Sequence, residues 1–240
     1  MVSSFQLACG QSLSLTLYPA AVKQYLLIAL FSVSSLLTKA QGAFSIATDL
    51  SLLRSISKGS GFWAVGQNVR VDYHITEKWS AFTLVNYYTN GKFTNAATAE
   101  AKSLLTTPAT IAYSATTKVR YRQVSVGLKR YFKGQFDTED GYSIYGFGGF
   151  GLLFGNVETT TDQAVDSFLY KAQPIAGKGN FSRLTLDLGA GAELELGTGI
   201  YLYSELRTWF PASSYPSSYL YNNDLPRVIT WNTGIRVLID

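Results

Sequence analysis

Residues 184–196 read LTLDLGAGAELEL, and three carboxylates, Asp187, Glu193 and Glu195, are threaded through the leucines at a spacing of two or six. In a strand, successive side chains point to opposite faces, so residues two apart share a side. One face carries Leu184, Leu186, Leu188, Ala190, Ala192, Leu194 and Leu196. The other carries Thr185, Asp187, Gly189, Gly191, Glu193 and Glu195. A helix would scatter the acids around its circumference, so the period predicts a strand. Which face looks inward decides the fold.

The same alternation recurs. Eight runs of about 11 to 16 residues fall at 43–53, 62–75, 79–89, 118–132, 142–155, 181–196, 200–210 and 227–239. Tight turns follow the second and sixth runs, and a short Gly- and Asp-containing link, 133–141, follows the fourth. Long polar stretches at 90–117, 156–180 and 211–226 follow the third, fifth and seventh, with a helical turn expected at 95–105. Alternating short turns and long loops are the habit of an outer-membrane barrel, whereas structureless loops this long are unusual in compact soluble domains.

Sorted by parity, the second run sets Trp63, Val65, Val69, Val71, Tyr73 and Ile75, interrupted by Gln67, against Asn68, Arg70, Asp72 and His74. The fourth sets Val124, Val126 and Leu128 against Gln123, Ser125 and Lys129. The seventh sets Leu202, Leu206 and Phe210 against Glu205 and Arg207, and the eighth sets Ile229, Trp231, Ile235, Val237 and Ile239 against Asn232, Gly234 and Arg236. A soluble sandwich or lipocalin-like barrel would turn the apolar face inward.

Strand length argues against that. Thirteen residues at about 3.3 Å each reach roughly 40 Å, or about 30 Å of vertical rise at a tilt of about 40°, which matches a hydrocarbon layer. Charge economy argues the same way. Arg70, Lys129, Arg207 and Arg236 are roughly matched by Asp72, Asp187, Glu193, Glu195 and Glu205, as ions on a narrow inner wall must be. The expectation is an all-β, eight-stranded antiparallel up-and-down transmembrane β-barrel with lipid outside and these nine ions in the lumen. Trp63, Tyr73, Trp79, Tyr131, Phe132, Phe154 and Trp209 lie near strand ends and are expected in the interfacial girdles.

The bulk numbers exclude other classes. Charged residues are 15% of the 240-residue chain and aromatics 14%, the former well below the usual quarter of a soluble domain. Cys9 is the single cysteine, which rules out an intrachain disulfide and a multi-cysteine metal site. A net charge of +4 is too thin a basis for nucleic-acid binding. Lys23, the apolar run at 25–37 and the Thr38-Lys39-Ala40 cleavage pattern read as a signal peptide. Residues 1–21 carry no charge, so translation is expected to start at Val22 and the mature barrel near Gln41.

This pattern resembles the small eight-stranded outer-membrane barrels of Gram-negative bacteria, the OmpA/OmpX-like group, over about 43–240. The most specific piece is the last run, where Asn232, Gly234, Val237 and Ile239 fit the signal read by the barrel-assembly machinery. Two departures stand out: Ile239 takes the place of the usual terminal aromatic, and Asp240 follows it. The resemblance implies outer-membrane localisation with both barrel termini periplasmic, periplasmic chaperones during biogenesis, a monomer, and no cofactor or metal. No wall-anchoring role is implied, since no peptidoglycan-binding domain follows.

Other motifs carry less. Gly146, Gly148 and Gly151 spell GxGxxG, but a dinucleotide loop needs a helix directly after it, and strand pattern continues instead. His74 is the only histidine. Outer-membrane acyltransferases, deacylases and omptin proteases use one near the outer surface, yet His74 falls beside a short turn without a Ser or Asp constellation, so no enzyme is expected. The long loops are net basic, and Arg120 and Arg122, on the lipid-facing parity of Val124, are the candidates for lipopolysaccharide phosphates. The expected role is structural, or surface contact and adhesion through the loops; a small-solute or ion channel is the second reading and a lipid-modifying enzyme the third.

Overall fold

A computed structural model describes residues 43–57, 59–138, 141–213, 218–220 and 227–239; the expected signal peptide and the Val22 start lie outside them. Among the described residues ten strands form in chain order: β1 Phe44–Ser55, β2 Trp63–Thr76, β3 Trp79–Tyr88, β4 Gly91–Ala101, β5 Thr110–Lys133, β6 Tyr142–Thr161, β7 Tyr170–Lys171, β8 Gly177–Gly197, β9 Ile200–Pro211 and β10 Val228–Ile239. Eight close a ring in the order β3-β2-β1-β10-β9-β8-β6-β5, with β3 pairing back onto β5. Every pairing in the ring is antiparallel. Closure leaves the wall no free edge, the condition for backbone to sit in lipid.

The decisive stretch lies on β8 with its leucines outward. Leu184, Leu186, Leu188, Leu194 and Leu196 are 41–58% exposed, while Asp187 and Glu193 are at most 2% exposed. The same sorting holds around the ring. Leu50, Val65, Val126, Leu206 and Trp231 are more than half exposed, whereas Arg70, Asp72, Lys129, Arg207 and Arg236 are buried. An exposed apolar belt of this extent has no place in water. The chain is therefore an eight-stranded antiparallel transmembrane β-barrel.

Three expectations are corrected. The stretches at 90–117 and 156–180 are largely not loops. β5 begins at Thr110, β6 runs to Thr161 and β8 starts at Gly177, with β4 paired along β5 from Gly91↔Val119 to Glu100↔Thr110. The wall thus continues past the belt as a four-stranded sheet, β4-β5-β6-β8. Residues 95–101 are strand and 102–109 irregular, so the helical turn does not form. Threonine and alanine are both acceptable on a pleated surface in water, and they hide the period that leucine and aspartate reveal. Finally, Tyr131 and Trp209 are not girdle residues; both are 1% exposed, because each lies two residues from an inward cation, Lys129 or Arg207.

Glycines make the narrow bore possible. A Cβ on Gly149 would lie 2.2 Å from the Val126 carbonyl oxygen and 2.7 Å from Cα of Gly127, its partner across the β5–β6 ladder. Gly149→Ala is expected to destabilise the barrel by about 1–3 kcal/mol through overpacking. Gly197→Ala, with open space at its Cβ, should change stability little. Urea-unfolding midpoints in lipid vesicles would check the pair.

Candidate functional site

The bore holds the polar face, and side chains occupy it in layers. Nearest the long-loop end, Leu53, Phe62, Tyr88, Phe93, Tyr121, Leu153, Phe181 and Trp209 pack together. Below them Asp187 accepts from Arg207 Nη2 at 2.5 Å, Ser125 Oγ at 2.5 Å and Gln123 Nε2 at 2.9 Å. Thr185 Oγ1 adds a fourth donor at 3.0 Å. A carboxylate with this many donors and a guanidinium partner is satisfied without water.

In the middle layer Arg70 bridges two acids, Glu205 at 2.7 Å and Asp72 at 3.3 Å. Glu205 also accepts from Tyr145 Oη and Asn232 Nδ2, each at 3.2 Å. Toward the short-turn end Glu193 is shared by Lys129 Nζ at 3.2 Å and Arg236 Nη2 at 2.9 Å. Rings serve the same cations: Lys129 Nζ lies 3.8 Å from the Tyr145 centroid, and the Arg236 guanidinium 4.0 Å from that of Tyr201. Such contacts strengthen as water is excluded.

Eight of the nine expected lumen ions are joined in these ion pairs. Glu195 is the exception. It shares the inward parity of Glu193 but is half-buried beside the irregular pairing at Gly197, and it forms no ion pair among the described residues. The strand end lifts it out of the packed bore.

Asp49 was missed. It is 5% exposed and accepts from Asn68 Nδ2 at 2.7 Å and Tyr203 Oη at 2.6 Å. Its parity with Ser45 and Ser51 in the first run was the available signal. Also unforeseen is Phe136, from the link between β5 and β6. Its ring stacks 4.2 Å from His74, its carbonyl accepts from Arg236 Nη2 at 2.6 Å, and its N–H donates to the Glu77 carbonyl at 3.2 Å. No periodicity marks a turn residue that folds back over the bore.

His74 bonds to Ser80 Oγ at 2.7 Å and to Ser45 Oγ, and is 3% exposed. Both ring nitrogens are engaged by hydroxyls, and Phe136 covers the ring. Of the assembly-signal residues, Asn232 points inward and Gly234 sits where a Cβ would meet the Thr48 carbonyl, while Val237 and Ile239 are 42% and 47% exposed on the belt.

Arg120 and Arg122 are on the outer wall just past the belt. Arg120 Nε donates to Asn90 Oδ1 at 2.9 Å, and the Arg122 guanidinium lies 5.4 Å from the Tyr87 centroid. On the neighbouring strands a hydrogen bond from Lys178, 3.0 Å away, and its positive charge hold the Glu158 carboxyl below its ordinary range.

No family model and no curated protein sequence matches this chain. Solved structures do. Neisserial surface protein A is similar with a TM-score of 0.51 at 13% identity, covering 82% of this chain and 99% of that one. The attachment invasion locus protein Ail of Yersinia pestis gives a TM-score of 0.47 at 14% identity, covering 83% and 100%. The N-terminal β-barrel domain of Pseudomonas aeruginosa OprF gives 0.45 at 12%, again covering 83% and 100%. At 13% identity the likeness to Neisserial surface protein A speaks of fold alone, and that fold agrees with the closed ring and the lipid-facing belt: this chain has the architecture of the small eight-stranded outer-membrane β-barrels.

Proposed function

We propose that the protein is a structural outer-membrane barrel with a plugged lumen, presenting its extended sheet to the outside as a surface for contact or adhesion. In this reading the segment before Gln41 exports the chain, both barrel termini are periplasmic, and β10 is recognised by the barrel-assembly machinery through Asn232, Gly234, Val237 and Ile239. Lipopolysaccharide is its outer-leaflet neighbour. The observation that supports it best is the stacking of three ion-pair layers between an aromatic layer and Phe136. Eight strands enclose only enough space for side chains, and each acid in these layers has a cationic nitrogen within 3.3 Å, although the Arg70–Asp72 contact is an ion pair without a hydrogen bond.

The expected result in a planar bilayer is no conductance steps from the folded protein, with a heat-modifiable band in the outer-membrane fraction. Conductance steps that disappear on charge swaps at Glu195 or Arg207 would favour the channel reading instead. The burial of His74 under Phe136, with Ser45 and Ser80 on its nitrogens, tells against surface lipid chemistry at that residue.

A further inference from the structure

One side chain breaks the apolar parity of β2. Gln67 lies on the lipid-facing side between Val65 and Val69 and is exposed there. It is four residues from Trp63 and six from Tyr73. At roughly 3.3 Å per residue and a tilt of about 40°, that puts it about 10 Å from one end of the belt and about 15 Å from the other. Its amide is therefore held in hydrocarbon, where an unmet donor or acceptor is unfavourable. Its polar neighbours on β1, β9 and β10 are met locally. Thr48 Oγ1 donates to the Asn68 carbonyl at 3.2 Å, the Ser204 and Thr233 hydroxyls bond at 3.2 Å, and Trp231 Nε1 donates to Ser204 Oγ at 2.8 Å. Gln67 has a single long contact, from Nε2 to Thr48 Oγ1 at 3.5 Å, and its Oε1 accepts from no group among the described residues. Across the ladders it is flanked by Leu50 on β1 and Tyr87 on β3. On the β1 side the wall is recessed into a groove of about 210 Å³, lined by Leu50, Ser51, Leu52, Val65, Trp231 and Thr233.

We propose that this face is the contact between two copies of the chain within the membrane, joined by a Gln67–Gln67 amide pair. Copies inserted in one bilayer share an orientation, so a two-fold axis relating them stands along the membrane normal. A residue beside that axis meets its own counterpart at its own depth. Glutamine suits the place, because each carboxamide both donates and accepts and two of them close a reciprocal pair. The same axis sets the β3 side of one copy against the β1–β10 groove of the other. Val85 and Tyr87, 50% and 44% exposed, are the side chains that face it. An acyl chain would fill the groove but offers the amide neither donor nor acceptor, so the amide selects a protein partner over lipid. Its self-complementarity and the match in depth select a second copy. The contact departs from the monomer that the family resemblance implies, and it requires only the lipid-facing wall, whatever the extended sheet binds.

The test uses the full chain with Cys9→Ser, folded in phosphatidylcholine vesicles and labelled with donor or acceptor dye through Lys78→Cys beside the short turn. Mixed copies should show energy transfer above that of random mixing, falling away only as lipid dilutes them. Gln67→Leu should weaken the association about tenfold. Thr233→Trp, which fills the groove, should weaken it as well, whereas Leu188→Trp on β8, across the ring, should leave it unchanged. In excess lipid, where copies are apart, Gln67→Leu should raise the urea-unfolding midpoint, because leucine leaves no amide unmet. Transfer no greater than random mixing at any lipid ratio would overturn the proposal, as would transfer undiminished by Gln67→Leu or equal effects of the two tryptophan variants. A midpoint unmoved by Gln67→Leu would mean that the amide is met within one copy, and the reason for pairing would be gone. A heat-modifiable band for each variant separates these outcomes from a failure to fold.

Discussion

Arg207→Met should lower the unfolding free energy of the barrel by about 3–5 kcal/mol, the expected loss when one member of a buried ion pair is removed and the other stays. Both partners are fully buried, and the 2.5 Å contact is the only ion pair either one makes among the described residues. Asp187 would keep Ser125, Gln123 and Thr185 as donors, but neutral hydroxyls and amides do not offset a carboxylate held out of water. Arg207 also donates to Gln123 Oε1 at 3.0 Å and Ser125 Oγ at 2.9 Å, so its loss strips one layer of its organising cation. The double change Arg207→Met with Asp187→Leu should recover part of the stability, since the apolar pair removes the unpaired charge but leaves the buried Ser125 and Thr185 hydroxyls without their acceptor. Urea unfolding in vesicles reads both, with the fluorescence of Trp209, whose ring centroid lies 5.9 Å from the Arg207 guanidinium, as a local probe. A neutral single variant would mean that water reaches Asp187, and the plugged reading would give way to a hydrated path.

Where one face meets hydrocarbon and the other is packed with ions, a one-residue slip is forbidden, and the sequence records this as strict alternation. That is why Asp187, Glu193, Glu205, Arg207 and Arg236 could be assigned inward from their spacing. The pairing among them was not legible. Arg70 reaches Glu205 across the bore, at a sequence separation of 135, and only closure of the ring brings β2 opposite β9. The constraint relaxes once the strands leave the membrane. Residues 91–101 and 110–117 lie where water wets a face, so threonine, alanine and lysine suffice there and the alternation fades, although the hydrogen-bond ladder continues. Aromatic side chains mislead for a related reason. Tyr131 and Trp209 have the composition of a girdle and the parity of the lumen, and in a closed barrel parity prevails.

Orientation itself yields the other large effect, because it sets the cost of a single charge by its depth. Val126 is 55% exposed in the middle of β5's outward series, between Val124 and Leu128, and Phe132 is 66% exposed near the short-turn end of the same strand. A lysine at Val126 would sit near the bilayer midplane, where charge on the lipid face of a barrel destabilises by about 2–4 kcal/mol; at the interface the figure falls to about 0–1 kcal/mol. Val126→Lys is therefore expected to shift the unfolding equilibrium strongly and Phe132→Lys little, although Phe132 is the larger apolar side chain to lose. A water-soluble body would reverse the order, since replacing an exposed valine there is nearly neutral while losing an aromatic ring removes contact area. The comparison needs no assumption about ligand or role. Measured in vesicles of one lipid composition, the gap between the two variants reports depth, and it should narrow in thinner bilayers, where Val126 lies closer to headgroup water. Equal effects at the two positions would mean that the belt does not face hydrocarbon, and the inward ions would then lose the physical reason for pairing so closely.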